Sequence, residues 1–275
     1  MKLEVDGIFY HIEVENPEKT ETVVFLHGFT GSTKTWHSVI EKWSDVKIIL
    51  IDLIGHGKSS SPEEFEAYSM ERQLKDLNAL FKQLALDRFT LVGYSMGGRI
   101  ALAFACHYPE RLTSLVLESA SPGLENEQAR QDRRINDASL AKRIVANGLV
   151  HFVDAWENNA LFVSQKSLPE RVQQAVREER LAQHPVGLAN SLLGMGTGTQ
   201  QSYWQKLEEL PIPVLLITGR LDVKFEAIAQ KMLTHLPHAI HKTIDAGHAI
   251  HVEKSAEFAT IVREYLTLNY QGGKS

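Results

Sequence analysis

The stretch "LVGYSMGGRIAL", residues 91–102, decides how the rest of the chain is read. An apolar run ends, a serine follows in a Gly-x-Ser-x-Gly pattern, and an apolar helical pattern begins at once. A serine at such a turn, here Ser95, is held in a strained conformation that lifts its hydroxyl clear of a sheet, while small neighbours leave room for the incoming helix. The helix start, with amides that no preceding turn can satisfy, then points at any negative charge developing beside that hydroxyl. A glycine-rich turn without chemistry can carry the same letters, so the surroundings have to decide.

Outward from this turn, apolar runs of strand length recur: "TVVFL" (22–26), "KIILID" (47–52), "FTLVG" (89–93), "SLVLE" (114–118), "VLLITG" (214–219) and "HKTI" (241–244). Nearly continuous apolar runs of this kind belong to strands buried on both faces of a parallel sheet. Residues 2–13 read as two further strands joined at Asp6 and Gly7, a dipeptide suited to the positive φ of a tight hairpin. Between the runs lie amphipathic helical patterns at 70–86, 225–236 and 256–268; in the first, Leu74, Leu77, Leu80, Phe81 and Leu84 share one face. The alternation predicts an α/β fold, a mostly parallel eight-stranded sheet with helices on both faces. From 122 to 204 the rhythm breaks into helix-like segments with no convincing strand, so this stretch is expected to be a helical cap inserted into a core formed by 1–121 and 205–275. The closing "NYQGGKS", 269–275, is expected to be a frayed end.

Composition narrows the function. The chain has 275 residues, 43% of them hydrophobic, enough for one large core with an insertion. Its net charge of −5, with no block of Lys or Arg, argues against a nucleic-acid partner. No run approaches the roughly 18 apolar residues of a membrane span, and the acidic, alternating start is unlike a secretory signal. Cys106 is the only cysteine and reads as a buried thiol on a helix, so no intrachain disulfide can form. A cytoplasmic protein is expected, with the oligomeric state left open. Neither paired Cys/His spacing nor H-E-x-x-H is present, and "GHGKSS" lacks the first glycine of a phosphate loop, so neither a metal nor a cofactor is expected.

A serine hydroxyl needs a histidine base and an acid that orients it. "GRLDVKF" places Asp222 just after a strand run, and "DAGHAIH" places His248 after the last one, in the chain order Ser95, Asp222, His248. Asp245 reads as a turn former and His251 as a surface or pocket-wall residue. The amides expected to stabilise an oxyanion are those of Met96, which follows the nucleophile, and Phe29 in "FLHGFTGS". His27, in the same loop, reads as a hydrogen-bonding brace. Arg99 follows Ser95 by four residues and should lean back toward the same face. A cation there opposes the helix macrodipole, so either an anionic substrate or a neighbouring surface carboxylate is needed.

The segments "HGFTGS", "DLIGHGKSS", "GYSMGG", "GRLDVKF" and "AGHAIH" together resemble the α/β-hydrolase superfamily, a scaffold shared by many reactions. "GYSMGGR", "SPGLENEQARQDRR", "WENNALF" and "RLAQHPVGLANSLLGMGTG" narrow the resemblance to the 2-succinyl-6-hydroxy-2,4-cyclohexadiene-1-carboxylate synthases of menaquinone biosynthesis. That resemblance implies a lyase that eliminates pyruvate from a small polycarboxylate substrate. It also implies substrate binding by Arg99, Arg133 and Arg180, by the pocket residues Tyr94, Trp156 and Phe162, and by Lys224 of the D-x-K-F pattern. Arg130 and Arg134 are close enough to exchange roles with Arg133. The alternatives that keep the same triad are a carboxylesterase or lactonase and a carbon–carbon bond hydrolase, both using Ser95 as nucleophile.

Overall fold

The computed structural model describes residues 1–272. The apolar runs become β1 (Lys2–Val5), β2 (Ile8–Glu15), β3 (Thr22–Leu26), β4 (Lys47–Ile51), β5 (Phe89–Tyr94), β6 (Leu112–Glu118), β7 (Val214–Gly219) and β8 (Ala239–Ile244). They form one sheet in the order β1-β2-β4-β3-β5-β6-β7-β8. β1 and β2 pair antiparallel, as do β2 and β4; all other neighbours are parallel. The β1–β2 turn falls at Asp6 and Gly7, both with positive φ (46° and 83°), the conformation that suits a two-residue hairpin.

Side chains of the central strands alternate between two cores. Val24, Leu26, Ile49, Ile51, Leu91 and Leu117 pack with α2 (Met70–Gln83) and α3 (Met96–His107). Val23, Phe25, Ile48, Leu50, Val92 and Val116 pack on the other face with α1 (His37–Ile40) and α9 (Ser255–Gly272). Cys106 sits half-buried on α3, where burial pushes its thiol up to about 12, so it stays protonated at neutral pH. Between β6 and β7 run α4 (Glu127–Trp156), α5 (Glu170–Leu181) and α6 (Pro185–Met195), and α4 is interrupted at Gly148. Ile144, Phe152 and Val153 of α4 meet Leu188 and Leu192 of α6 in a small apolar cluster of their own. Phe29 and Trp156 pack against that cluster, which joins these helices to the loop after β3. The remaining helices are α7 (Val223–Leu233) and α8 (Ile250–Glu253), and no helix among the described residues is long and apolar enough to cross a membrane.

Element ends depart from the sequence expectations for local reasons. β5 continues to Tyr94, because that residue still pairs with Glu118 of β6. β8 begins two residues before the run at 241–244, since Ala239 and Ile240 pair with Val214 and Leu215. α2 stops at Gln83, and Ala85 at φ 52° turns the chain away. α9 extends over 269–272 of the expected frayed end, and residues 273–275 lie outside the described residues.

Backbone segments approach closely beside the serine turn. A Cβ placed on Gly97 would come 2.3 Å from the Leu26 carbonyl oxygen and 2.4 Å from that of His27. Gly97→Ala is therefore expected to destabilise the protein by about 1–3 kcal/mol, the range of overpacked cores. The denaturation midpoint measures this, and an unchanged midpoint would contradict the close packing.

Candidate active site

β5 runs into α3 with no connecting loop, and Ser95 absorbs the change of direction at φ 49°, ψ −104°. A non-glycine residue in such a conformation costs on the order of 1–3 kcal/mol and persists only where neighbours enforce it. One enforcing contact is the Ser95 N–H, which donates to the Glu118 carbonyl at 2.9 Å. Ser95 is thereby the N-cap of α3, and Met96 contributes one of the first-turn amides that lack a partner within the helix.

His248 lies in the loop between β8 and α8, 2% exposed. Its Nε2 is 3.0 Å from Ser95 Oγ and its Nδ1 2.6 Å from Asp222 Oδ2. A carboxylate can only accept, so Nδ1 carries the hydrogen and Nε2 presents its lone pair to the serine hydroxyl. Asp222 is fixed in turn as the N-cap of α7, where Oδ1 accepts the Phe225 N–H at 3.4 Å. Three rings enclose the imidazole: Phe225 at 4.6 Å, Tyr94 at 5.4 Å and Phe162 at 6.2 Å between centroids.

The loop after β3 is braced from below. Leu53 N–H donates to His27 Nε2 at 3.0 Å, which leaves the hydrogen on Nδ1, and that nitrogen donates to the Gly28 carbonyl at 2.8 Å. Asp52 accepts the Thr33 N–H with one oxygen and the Lys58 N–H with the other, tying this loop to the one after β4. Gly28 must be glycine, because a Cβ there would lie 2.5 Å from the Tyr94 ring. Phe29, carried by this loop, and Met96 line one cavity together with Ser95 and His248.

That cavity has a volume of about 750 Å³. Five cationic side chains line it, Arg99, Arg133, Arg143, Lys224 and Lys231, against the carboxylates of Glu125 and Asp137. Arg99 is 9% exposed, and its Nη1 donates to two neutral acceptors, the Met195 carbonyl at 2.8 Å and Gln200 Oε1. Burial, reinforced by the charge of Arg133, lowers its pKa to about 10, which leaves it charged at neutral pH. Among the described residues it has no salt-bridge partner. Arg133 Nε donates to Asp137 Oδ1 at 2.8 Å, and burial raises the pKa of that carboxyl despite the contact. Arg130 and Arg134 turn instead to the carbonyls of Gly198 and Thr199 and to Glu127, outside the cavity. Of the three exchangeable arginines, then, Arg133 is the one at the cavity wall.

Tyr94, Trp156 and Phe162 line the cavity as well, with Trp156 edge-on to Phe29 at 5.6 Å. Lys224 stands at the same wall, its Nζ 5.6 Å from the Phe225 ring centroid. Arg180 does not line it. Its guanidinium lies against the Phe162 ring at 4.7 Å, donates to Gln165 Oε1 at 3.2 Å and borders two smaller hollows behind that ring.

One expectation needs correcting. His251 is not at the surface: it is 1% exposed, beneath Tyr94, with its Nδ1 2.8 Å from the buried Glu118 carboxylate. Of the pocket-wall reading, only contact with a hollow of about 40 Å³ remains, separate from the main cavity. Asp245 is exposed in the bend after β8.

Two cationic residues escaped the sequence reading although a signal existed. Lys231 lies seven residues after Lys224, with Ile228 between, and all three face the cavity from α7. Arg143 follows Arg133, Asp137 and Leu140 at helical spacing on α4. Glu118 had no signal of its own, being the polar end of an apolar strand run.

The chain matches the family model of the alpha/beta hydrolase fold over residues 21–255. It is 47% identical over 263 residues to a Bacillus subtilis (strain 168) protein provisionally named 2-succinyl-6-hydroxy-2,4-cyclohexadiene-1-carboxylate synthase, covering 95% of this chain and 96% of that one. It is 32% identical over 247 residues to the Salmonella agona (strain SL483) protein of the same name without the qualification, covering 90% and 94% of the two chains. Among solved structures it is similar to MenH from S. aureus, with a TM-score of 0.90 and 38% identity over 95% of this chain and 98% of that one.

The two buried loop histidines make a prediction about acid stability. Burial holds His27 down at about 4, and burial together with the nearby His27 ring holds His56 down at about 3. Both would sit near the ordinary value of about 6.5 in the unfolded chain, which therefore binds protons that the folded chain refuses. Stability from this source is complete above about pH 6.5 and is lost as the pH falls toward 4. Denaturation midpoints measured from about pH 7 to about pH 5 should fall steadily; a flat series would mean these rings are not buried neutral.

Proposed function

The chain belongs to the alpha/beta hydrolase fold family and, within it, to the 2-succinyl-6-hydroxy-2,4-cyclohexadiene-1-carboxylate synthases; from that premise we propose that it forms this product by eliminating pyruvate from 2-succinyl-5-enolpyruvyl-6-hydroxy-3-cyclohexene-1-carboxylate. The observation that carries the proposal to this substrate is Arg99, a buried cation one helical turn from Ser95 whose hydrogen-bond partners are neutral. Asp137 acts on this guanidinium only through space and also pairs with Arg133, so a substrate carboxylate would supply the charged hydrogen-bond partner, and the fork of an arginine suits it. Arg133 and Lys224 belong to the same proposal, as do Tyr94, Trp156 and Phe162 around the ring. Arg180, standing behind Phe162, reaches substrate in this reading only after that ring moves.

The chemistry needs a base, an oxyanion site and no water. His248 Nε2 accepts the Ser95 hydroxyl proton, and Ser95 Oγ removes the ring hydrogen next to the succinyl carbonyl. The charge that develops on that carbonyl oxygen faces the Phe29 and Met96 N–H groups. The ring double bond shifts, a second one forms, and the bond to the enolpyruvyl oxygen breaks. The proton taken from the ring returns, through His248, to the departing enolpyruvate, which leaves as pyruvate. Asp222 keeps the imidazole in the required tautomer and stabilises it while it is charged. In this reading residues 122–204 form the cap that keeps water out, above a core of 1–121 and 205–275, and the setting is the cytoplasm. The 3.0 Å contact between Ser95 and His248 also suits covalent attack on an ester, so an esterase or lactonase is the second reading.

Pyruvate release and diene absorbance, followed with the enolpyruvyl substrate, test the proposal. Ser95→Ala is expected to lose about three or more orders of magnitude in kcat, and Asp222→Asn a comparable amount through the wrong histidine tautomer. Full elimination by Ser95→Ala would remove the serine base from the mechanism. Arg99→Ala should cost about 2–4 kcal/mol in kcat/KM, the range for stripping a partner from a buried charge pair. Rapid ester hydrolysis without pyruvate release would favour the second reading.

A further inference from the structure

Glu118 lies outside the triad yet touches both of its halves. Its backbone carbonyl accepts the Ser95 N–H at 2.9 Å. Its carboxylate, with no exposure to solvent, accepts the His251 N–H at 3.1 Å and lies 2.8 and 2.9 Å from His251 Nδ1. His251 belongs to α8, the single turn that closes the loop carrying His248. Its ring packs against Trp36 at 4.8 Å and edge-on to Tyr94 at 4.4 Å, and Tyr94 in turn faces His248. On the other side of His248, Glu253 accepts the Gly247 N–H at 2.7 Å and the Ser164 hydroxyl at 2.9 Å. The histidine is therefore pinned between two carboxylate anchors, and the residue that bears one of them also holds Ser95.

We propose that Glu118 is a positioning residue for the triad, which acts through His251 to set the approach of His248 to Ser95. Apolar packing alone would fill the space behind Tyr94, but it would not orient the α8 turn, because only hydrogen bonds are directional. Ser95 and His248 are separated by 153 residues of chain. Fastening both to one residue at the end of β6 keeps small shifts elsewhere in the sheet from accumulating between them. A buried carboxylate with two donors from one residue tolerates little displacement, since a lost partner leaves its charge unsolvated. The proposal requires that Ser95 be activated by His248, as the lyase reading does, but it does not depend on the identity of the substrate.

Two readouts test it: pyruvate release from the enolpyruvyl substrate, and the rate at which a fluorophosphonate labels Ser95. Glu118→Gln keeps the shape but sets an N–H₂ against a ring nitrogen that donates. It is expected to lower kcat by about tenfold to a hundredfold, the cost of displacing a catalytic group by a fraction of an ångström to 1 Å, with KM within about twofold. Labelling should slow by the same factor in protein that remains folded by circular dichroism. His251→Phe, which keeps the ring packing and removes the donor, should match that loss, and the double variant should be no worse than the poorer single. His251→Asn, whose amide can donate from the Nδ1 position, should restore most of the rate. Normal kcat and labelling in folded Glu118→Gln would overturn the proposal, as would equal losses in His251→Phe and His251→Asn. If Glu118→Gln does not fold, the two His251 variants make the same decision. If the unaltered protein releases no pyruvate, the lyase reading falls, and the labelling rates still decide the role of Glu118.

Discussion

A serine held at φ 49° between a strand and a helix is the constraint around which this molecule is organised. The conformation is unfavourable by itself, so the surroundings must supply what holds it. Gly97 lets α3 descend onto the Leu26 and His27 carbonyls, Gly28 gives way to the Tyr94 ring, and the Glu118 carbonyl takes the Ser95 amide. Each neighbour lies at the carboxyl end of a parallel strand, where open α/β sheets gather their sites. The strain at Ser95 and the packing of β3, β5 and β6 are two descriptions of one arrangement.

Charge is distributed with equal economy. The protein carries a net −5, yet cationic side chains outnumber carboxylates around the cavity. Arg99 opposes the dipole of the helix that bears it and is buried besides, and both effects favour the approach of an anion. Asp137 partly neutralises Arg133, while burial favours its protonated form. The cavity is thus poised for a ligand that brings more than one negative charge.

The helices between β6 and β7 also hold the loop after β3. Glu179 on α5 accepts the hydroxyls of Ser32 and Thr35 at 2.6 and 2.8 Å, and Gln183 bridges the Gly31 carbonyl and the Gly57 N–H. The loop that carries the Phe29 amide is therefore gripped from above by α5 and from below by His27 and Asp52. Arg180 follows Glu179 on α5, and Gln183 stands just past the end of that helix, so a shift of α5 that moved the arginine would also be felt by that loop.

The sequence by itself determined what depends on neighbours along the chain. Strand and helix periodicity placed the sheet and α2, α3, α7 and α9, because burial repeats at 2.0 and 3.6 residues. The glycine pattern marked the turn at Ser95, and chain order singled out Asp222 and His248, which the fold brings within hydrogen-bonding reach. Only the tertiary structure decided matters of rotational phase and distant pairing. Arg133, rather than Arg130 or Arg134, reaches the cavity because of how α4 is turned about its axis, which composition does not encode. Arg180 falls behind Phe162 through the packing of α5 against the 160–167 turn. His251, which reads as a surface or pocket-wall residue, is buried against Glu118, 133 positions earlier. A buried hydrogen bond between side chains leaves no periodic trace in a sequence: each partner looks like an ordinary polar residue until the fold removes water from both.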